Sequence, residues 1–283
     1  PTPFDAIEFD ERLGTIDVLY DLAFLLMDLT HRGLAAHANL VFNRYLDATD
    51  ETDGLPALPF FMAVRASIRA HVTATQAKGA IGDAAAGLRA EAESYFALAE
   101  RLIAPREKAL VAIGGFSGSG KSTLAAALAP HIGPAPGARI LSSDRIRKAL
   151  HGVAATDPLP PEAYAPAISE RVYARMRDEA ARTLSLGGAA IADGVFDRPD
   201  LAAAIQQVAQ DDTAPFAGLW LVAPREKMAA RIEARRGDPS DATPAVLAKQ
   251  MEKGVAPDGW RRIDAAREPA EILDDALKVA PRT

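Results

Sequence analysis

From residue 109 onward, short apolar runs alternate with longer stretches of helical period. The runs that predict β-strands are 109–114, 138–142, 189–193, 216–222 and the less apolar 261–264. The stretches that predict helices are 121–130, 144–150, 162–186, 198–210, 224–236, 244–253 and 268–278. Continuous apolar runs such as 109–113 are typical of strands buried on both faces of a parallel sheet. The pattern therefore predicts an α/β fold with a parallel sheet flanked by helices.

The first third of the chain has a different pattern, with helical period over most of residues 15–103. Helices are expected near 16–29, 33–46, 59–77 and 84–103, and a short strand near 6–9. A boundary is expected at Pro105 and the charged residues that follow it. We therefore predict a mostly helical domain over 1–105 and an α/β domain over 106–283.

Composition narrows the class of protein. Hydrophobic residues make up 49% and charged residues 25% of 283, the balance of a globular protein. The sequence contains no cysteine. Disulfides and cysteine-ligated metal sites are therefore excluded, and we expect a cytoplasmic location. The net charge of -6 argues against a broad contact with nucleic acid. No apolar run is long enough for a membrane span, and no secretory signal opens the chain. Because the chain starts Pro1-Thr2, we expect a processed product or a piece of a longer protein.

The segment 115–122 reads G-x-x-x-x-G-K-S between a predicted strand and a predicted helix, the setting of a phosphate-binding loop. Glycines let backbone N–H groups point inward at phosphate, and the helix adds its positive N-terminus. Lys121 is expected between the β- and γ-phosphates of ATP, and the Ser122 hydroxyl on Mg²⁺. The alternative is a glycine-rich turn with an incidental Lys-Ser. The expected nucleotide-binding residues are Gly115, Phe116, Ser117, Gly118, Ser119, Gly120, Lys121, Ser122 and Thr123.

Two acids follow predicted strands, and ligands of open parallel sheets bind at that edge. Asp144 follows 138–142 and is a candidate base for an attacking hydroxyl, or else the N-cap of the next helix. Arg147, one turn on, is expected to pair with an anionic substrate or with Asp144, unless it only faces solvent. Asp193 ends 189–193, where a second acid would hold Mg²⁺, or else it is a turn residue.

Arginines cluster in the predicted helix 224–236, which runs into a polar loop at 237–241. Arg231 and Arg235 are four residues apart, so we expect both on one helix face. Two guanidinium groups there could clamp the γ-phosphate as part of a closing lid. The alternative is a solvated face paired with Glu226 and Glu233. The expected catalytic residues are Lys121, Asp144, Arg147, Arg231 and Arg235, and the expected metal ligands are Ser122 and Asp193.

These motifs resemble those of small P-loop kinases of the AAA ATPase type: gluconate kinase, zeta toxins and the 5′-kinase of phage polynucleotide kinase. The resemblance covers about residues 109–270 and rests on 115–123, 142–148, 192–196 and 231–242. It implies that Asp144 is the base, with Arg147 beside it, and that lid arginines fall on the Arg231/Arg235 segment.

The first part of the chain is similar to the end of an aminoglycoside-phosphotransferase-like lobe, through residues 5–10 and 17–24. That family's His-x-Asp catalytic loop and glycine-rich N-lobe are absent from this sequence, and its metal-binding Asp would fall near Glu8 or Asp10. The resemblance therefore implies a scaffold, a substrate platform or a piece of a second site, and no phosphotransfer by this part alone.

Together these features predict an ATP- and Mg²⁺-dependent phosphotransferase that acts on a hydroxyl of a small polar metabolite or nucleotide sugar. One alternative is a nucleotide-binding switch module without an acceptor, and another is a 5′-hydroxyl polynucleotide kinase. The expected partners are ATP, a small acceptor and a missing N-terminal part of the same protein; neither long nucleic acid nor a membrane is expected.

Overall fold

A computed structural model describes residues 17–105 and 107–281 of the chain, which divides into two compact units. The first, the helical unit, comprises the described parts of residues 1–42 and 53–104. The second, the sheet unit, comprises residues 43–52 and the described parts of 105–283. The segment 43–52, placed by its sequence pattern with the helical region, thus packs with the sheet.

The helical unit is built from α1 (Val18–His31), the start of α2 (Ala35–Thr49), α3 (Leu58–Gly79) and α4 (Gly82–Ile103), with a 3₁₀ turn at Leu55–Ala57. Asp17 caps α1, since its carboxylate accepts a 2.9 Å hydrogen bond from Leu19 N. Along α3, buried Ala63, Ala66 and Ala70 present a smooth face to the neighbouring helices. The strand expected at 6–9 lies outside the described residues, as do residues 5–10 of the resemblance.

The sheet unit holds five parallel strands: β1 (Leu110–Gly114), β2 (Arg139–Ser142), β3 (Ala190–Asp193), β4 (Phe216–Val222) and β5 (Arg261–Asp264). Their order across the sheet is β2-β3-β1-β4-β5, which puts β1 at the centre. All five residues of β1 are buried, as its unbroken apolar run predicts. The predicted fold class, a parallel sheet flanked by helices behind a mostly helical region, is confirmed.

The helices of the sheet unit are α5 (Lys121–Leu128), α6 (Ser143–Leu150), α7 (Pro166–Ser185), α8 (Pro199–Asp211), α9 (Arg225–Ala234), α10 (Pro244–Lys253) and α11 (Pro269–Val279), with 3₁₀ turns at Ala129–His131 and Pro161–Tyr164. Alternate residues of β1 enter two cores: Val111 and Ile113 pack with α5, α9 and α11, and Leu110 and Ala112 pack with α7 and α8. Within the described ranges, none of the helices combines the length and hydropathy that crossing a bilayer requires.

The edge strand β2 is covered by the end of α2. The side-chain oxygen of Asn43 accepts a 2.7 Å hydrogen bond from Ile140 N, and its amide nitrogen donates to Ala138 O at 3.2 Å. Arg139 donates to the backbone oxygen of Asn43 at 3.1 Å and to Asp47 at 2.6 Å. The Asn43 side chain thus makes backbone hydrogen bonds to the edge strand β2 and to the residue before it, in the place of a neighbouring strand.

Candidate functional site

A cavity of about 800 Å³ opens at the carboxyl ends of the strands, the edge where open parallel sheets bind ligands. Nearly all of the predicted site residues line it: Ser117, Gly118, Ser119, Gly120, Lys121, Ser122, Thr123, Asp144, Arg147, Asp193, Arg231 and Arg235. Gly115 and Phe116 support the loop instead. Gly115 N donates to Val195 O at 3.1 Å, and the Phe116 ring packs edge-on against Trp220 at a 5.4 Å centroid distance.

The 115–120 loop depends on glycine for its backbone. Gly115, Gly118 and Gly120 have φ angles of 141°, 81° and 98°, in the region that side chains disfavour. A Cβ on Gly118 would lie 2.4 Å from Met228 O, so the loop passes too close to α9 for any side chain there. The loop then enters α5 at Lys121, where the first-turn N–H groups have no helical partner. This arrangement fits a bound phosphate.

Lys121 begins α5 and bends back over the loop, with its ammonium donating to Phe116 O at 3.2 Å. Burial lowers the pKa of Lys121, and the carboxylates of Asp193 and Asp144 oppose that shift. A cation held in a partly desolvated cavity interacts with phosphate far more strongly than one in water.

Ser122, in the first turn of α5, and Asp193, at the end of β3, are joined by a hydrogen bond. The Ser122 hydroxyl donates a 2.7 Å hydrogen bond to Asp193 Oδ2, and Asp193 is 3% exposed. Burial raises the pKa of Asp193, while Lys121 and the Ser122 hydrogen bond lower it. These hard oxygen donors fit Mg²⁺, which binds through few protein groups and otherwise through water and phosphate. No cluster of three or more acidic or histidine side chains suited to a metal ion occurs in the described part of the chain.

Asp144 lies in the first turn of α6 and lines the same cavity as Lys121. The alternative that it caps this helix is wrong, because α6 begins at Ser143 and the N-cap is Ser142. Burial raises the pKa of the Asp144 carboxyl, and Lys121, a hydrogen bond from Ser240 and the charges of Arg147 and Arg235 hold it down. A buried carboxylate whose pKa is raised is a stronger base than an exposed one, which suits it to accept a proton from a hydroxyl group.

Arg147 is buried, and the hydrogen bonds of its guanidinium go to groups other than the Asp144 carboxylate. Its guanidinium donates to Ala163 O at 2.8 Å and to Ser169 Oγ at 3.4 Å, and it lies 4.8 Å from the centroid of the Tyr164 ring. The alternative of a solvent-facing side chain is therefore wrong, since Arg147 is 7% exposed. Arg147 acts on Asp144 through its charge, which helps to hold down the pKa of that carboxyl.

The two lid arginines occupy different backbone settings. Arg231, on α9, donates to Ala265 O at 2.9 Å and approaches Ser119 O at 3.4 Å, which links the phosphate loop to the chain after β5. The expectation that Arg235 shares its helix face is wrong, because α9 ends at Ala234 and Arg235 is extended. Arg235 nevertheless lines the cavity, 3.9 Å from Asp238.

Further residues reach the cavity that sequence reasoning did not single out. Gln250 on α10 accepts a 2.9 Å hydrogen bond from Ser117 N. The Tyr173 hydroxyl on α7 accepts one from Val195 N at 2.9 Å, and burial raises the pKa of Tyr173 to about 12. Both lie on predicted helices far along the chain, so no local pattern marks them.

The family model for the AAA domain matches residues 110–257, more than half of the 283-residue chain. The uncharacterized protein Rv2004c of Mycobacterium tuberculosis (strain ATCC 25618 / H37Rv) is 30% identical over 270 residues, which cover 94% of this chain and 53% of that protein. The uncharacterized protein Mb2027c of Mycobacterium bovis matches with the same values, 30%, 94% and 53%. The chain thus spans about half the length of the curated relatives it matches.

Solved structures are similar at a lower level. A gluconokinase from Sinorhizobium meliloti 1021 is 22% identical with a TM-score of 0.43, covering 62% of this chain and 92% of that chain. The Mycobacterium tuberculosis APS kinase CysC, in complex with AMPPNP and APS, is 20% identical with a TM-score of 0.46, covering 62% and 98%. A putative kinase from Chloroflexus aurantiacus j-10-fl is 20% identical with a TM-score of 0.48, covering 62% and 99%. Because the match to the AAA domain model covers more than half of its residues, the chain belongs to the AAA domain family.

Proposed function

We propose that the sheet unit transfers the γ-phosphate of ATP to a hydroxyl group of a small polar acceptor, a metabolite or a nucleotide sugar. The observation that supports this most directly is that Asp144 and Lys121 line one cavity and influence each other's charge. A phosphate-binding cation facing a base is the pairing that a kinase needs and a simple nucleotide switch does not. The cytoplasm, which supplies ATP, is the proposed compartment.

Two cationic side chains would neutralise the negative charge that develops on the transferred phosphoryl group. Lys121 approaches it from the phosphate loop, and Arg235 approaches it from the chain after α9, since both line the same cavity. Arg231 contributes mainly by fixing the phosphate loop through its contacts with Ser119 O and Ala265 O. Such preorganised cations favour the transition state because they need no reorganisation when charge develops.

Mg²⁺ would be held by Ser122 and Asp193, whose side chains are already joined by a hydrogen bond. When bound, Mg²⁺ neutralises phosphate charge. The Ser122 hydroxyl orients Asp193 through this hydrogen bond, so the two proposed ligands already lie side by side in the cavity.

Asp144 is the proposed base for the acceptor hydroxyl. Its carboxylate would accept the hydroxyl proton as the oxygen bonds to phosphorus and the bond to the ADP oxygen breaks. The acceptor would lie on the α7 side of the cavity, among Arg147, Tyr164, Ser169 and Tyr173. A cavity of about 800 Å³ is of the size that small ligands occupy, which favours a small acceptor over long nucleic acid.

We further propose that the helical unit belongs to an aminoglycoside-phosphotransferase-like lobe and serves as a scaffold or substrate platform rather than a second active site. Support comes from the resemblance of residues 17–24 and from relatives about twice as long as this chain. The rest of such a lobe would then be a partner of the sheet unit.

The test is to trace the γ-phosphate of labelled ATP with Mg²⁺ and panels of sugars, nucleotide sugars, other small alcohols and 5′-hydroxyl oligonucleotides. Label on a small acceptor supports the proposal. Label released only as inorganic phosphate would favour a switch ATPase. Label on oligonucleotides, with binding that weakens steeply as salt rises, would favour a polynucleotide kinase.

A further inference from the structure

The segment 235–243, here called the lid segment, joins α9 to α10 and is anchored through Asp241. The Lys148 ammonium lies 2.5 Å from Asp241 Oδ2, and the Tyr164 hydroxyl lies 2.6 Å from the same oxygen. The backbone N–H of Leu159 also donates to that oxygen, at 3.1 Å. Three donors on one carboxylate oxygen tie the lid segment to α6 and to the chain before α7.

The Lys148 side chain is 2% exposed, so its charge depends on partners inside the protein. Besides Asp241, it donates to the backbone oxygen of Asp157. Although burial raises the pKa of Asp241, the hydrogen bonds from Lys148 and Tyr164 outweigh it and leave that pKa below its usual value. Asp241 is therefore a charged anchor, and losing it would strand a buried cation.

The anchored segment reaches the proposed acceptor end of the cavity. Ser240, next to Asp241, donates a hydrogen bond to the Asp144 carboxylate. Tyr164, which holds Asp241, also stacks on Arg147 at 4.8 Å. The hydrogen bonds of Asp241 thus help to hold Ser240 against Asp144 and Tyr164 against Arg147.

We propose that Asp241, Lys148 and Tyr164 form a latch that holds the lid segment closed over the acceptor end of the cavity. The latch makes Asp241 and Lys148 positioning residues: they act by placing Ser240 against Asp144 and Arg235 toward the phosphate. The effect on transfer rests on the proposed phosphotransferase function, whereas the closure itself does not.

Trypsin tests the closure, because the lid segment begins with Arg235 and the exposed Arg236. In Asp241→Asn, cleavage after these arginines should be about tenfold faster than in wild type, the factor expected when a charge-assisted hydrogen bond is lost. Tyr164→Phe, which keeps the ion pair, should give a smaller increase. Glu252→Gln, which removes an exposed carboxylate on α10, should cleave like wild type. Equal cleavage in wild type, Asp241→Asn and Tyr164→Phe would overturn the latch.

Steady-state transfer tests the positioning. Asp241→Asn should lower kcat about tenfold while the KM for ATP changes less than about threefold, because the phosphate loop is untouched. A kcat that is unchanged or raised, or a loss confined to the KM for ATP, would overturn the positioning role. If Asp241→Asn does not fold, as shown by loss of its thermal transition, Lys148→Gln decides with the same split, since it breaks the same ion pair and Lys148 does not line this cavity. If wild type transfers no phosphate, the proposed function fails while the trypsin comparison still judges the closure.

Discussion

The Ser122 hydroxyl and the Asp193 carboxylate are joined by a 2.7 Å hydrogen bond across 71 positions of sequence. The bond joins the first turn of α5 to the end of β3 and leaves Asp193 oriented, buried and beside Lys121. The proposed metal site is therefore organised by the fold itself.

Asp193→Asn should weaken the Mg²⁺-dependent part of ATP binding by about 10-fold to 100-fold, because it removes the anionic oxygen donor. Calorimetric titration of ATP with Mg²⁺ and with EDTA measures that part directly. Asp258→Asn, an exposed acid outside the cavity, should keep the full difference between the two titrations. An Asp193→Asn variant with the wild-type difference would rule out the proposed metal ligand.

The acid limb of the rate profile should report Asp144. A base works as the carboxylate, and burial raises the Asp144 pKa above its ordinary value of 3.8. Activity should therefore fall as the pH drops through that raised pKa, at a higher pH than for an exposed aspartate. The measurement is kcat/KM against pH at saturating Mg²⁺. A profile that stays flat down to about pH 4 would contradict the raised pKa of the base.

Gly118→Ala should weaken ATP binding. The new methyl group would lie 2.4 Å from Met228 O, so the loop must move. The substitution would also place an alanine at a φ of +81°, a backbone conformation that side chains disfavour. We expect at least about a tenfold loss of ATP affinity, since strain of this kind costs on the order of 1–3 kcal/mol. Gly152→Ala has a similar φ of +66° but open space around it, and it should bind ATP like wild type. Similar affinities for the two variants would argue against the role given to the loop.

Asn43→Ala should destabilise the sheet unit although Asn43 lies in a helix 97 positions before its partner Ile140 on the edge strand. The change leaves the Ile140 N–H of the edge strand without its acceptor, at a cost of about 1–3 kcal/mol. Both tryptophans of the chain, Trp220 and Trp260, lie in the sheet unit, so urea unfolding followed by tryptophan fluorescence reports on it.

Gln207→Ala, which removes an exposed amide from α8, is the matched control and should change stability by less than about 0.5 kcal/mol. Chains that start at residue 106 lack Asn43 altogether and should unfold at lower urea than chains that start before α2. An Asn43→Ala transition at the wild-type urea midpoint would show that the edge strand needs no such cover.

The sheet was readable from sequence because parallel strands are buried on both faces and so form unbroken apolar runs. β4 matches its prediction of 216–222 at both ends, and β1, expected at 109–114, is observed at Leu110–Gly114. The position of the phosphate loop was readable because its glycines and Lys-Ser pair have few other uses between a strand and a helix.

Contacts between residues far apart in the chain could not be predicted from the sequence. Gln250, Lys148 and Asp241 act through partners 133 or 93 positions away, and no local pattern marks such pairs. The end of α9 differs from its prediction because Arg235 and Arg236 are good helix formers, whereas the helix ends at Ala234 and Arg235 is extended. Helix propensity is a weak guide where tertiary contacts compete.

The central claim is that Asp144 is the base of a phosphotransferase, and Asp144→Asn tests it when ATP binding and transfer are measured on the same sample. The account predicts ATP affinity within about threefold of wild type and a transfer rate lower by about 10²–10⁴-fold, the contribution of a general base. Transfer at the wild-type rate, or a loss of ATP affinity that accounts for the whole fall in rate, would contradict it.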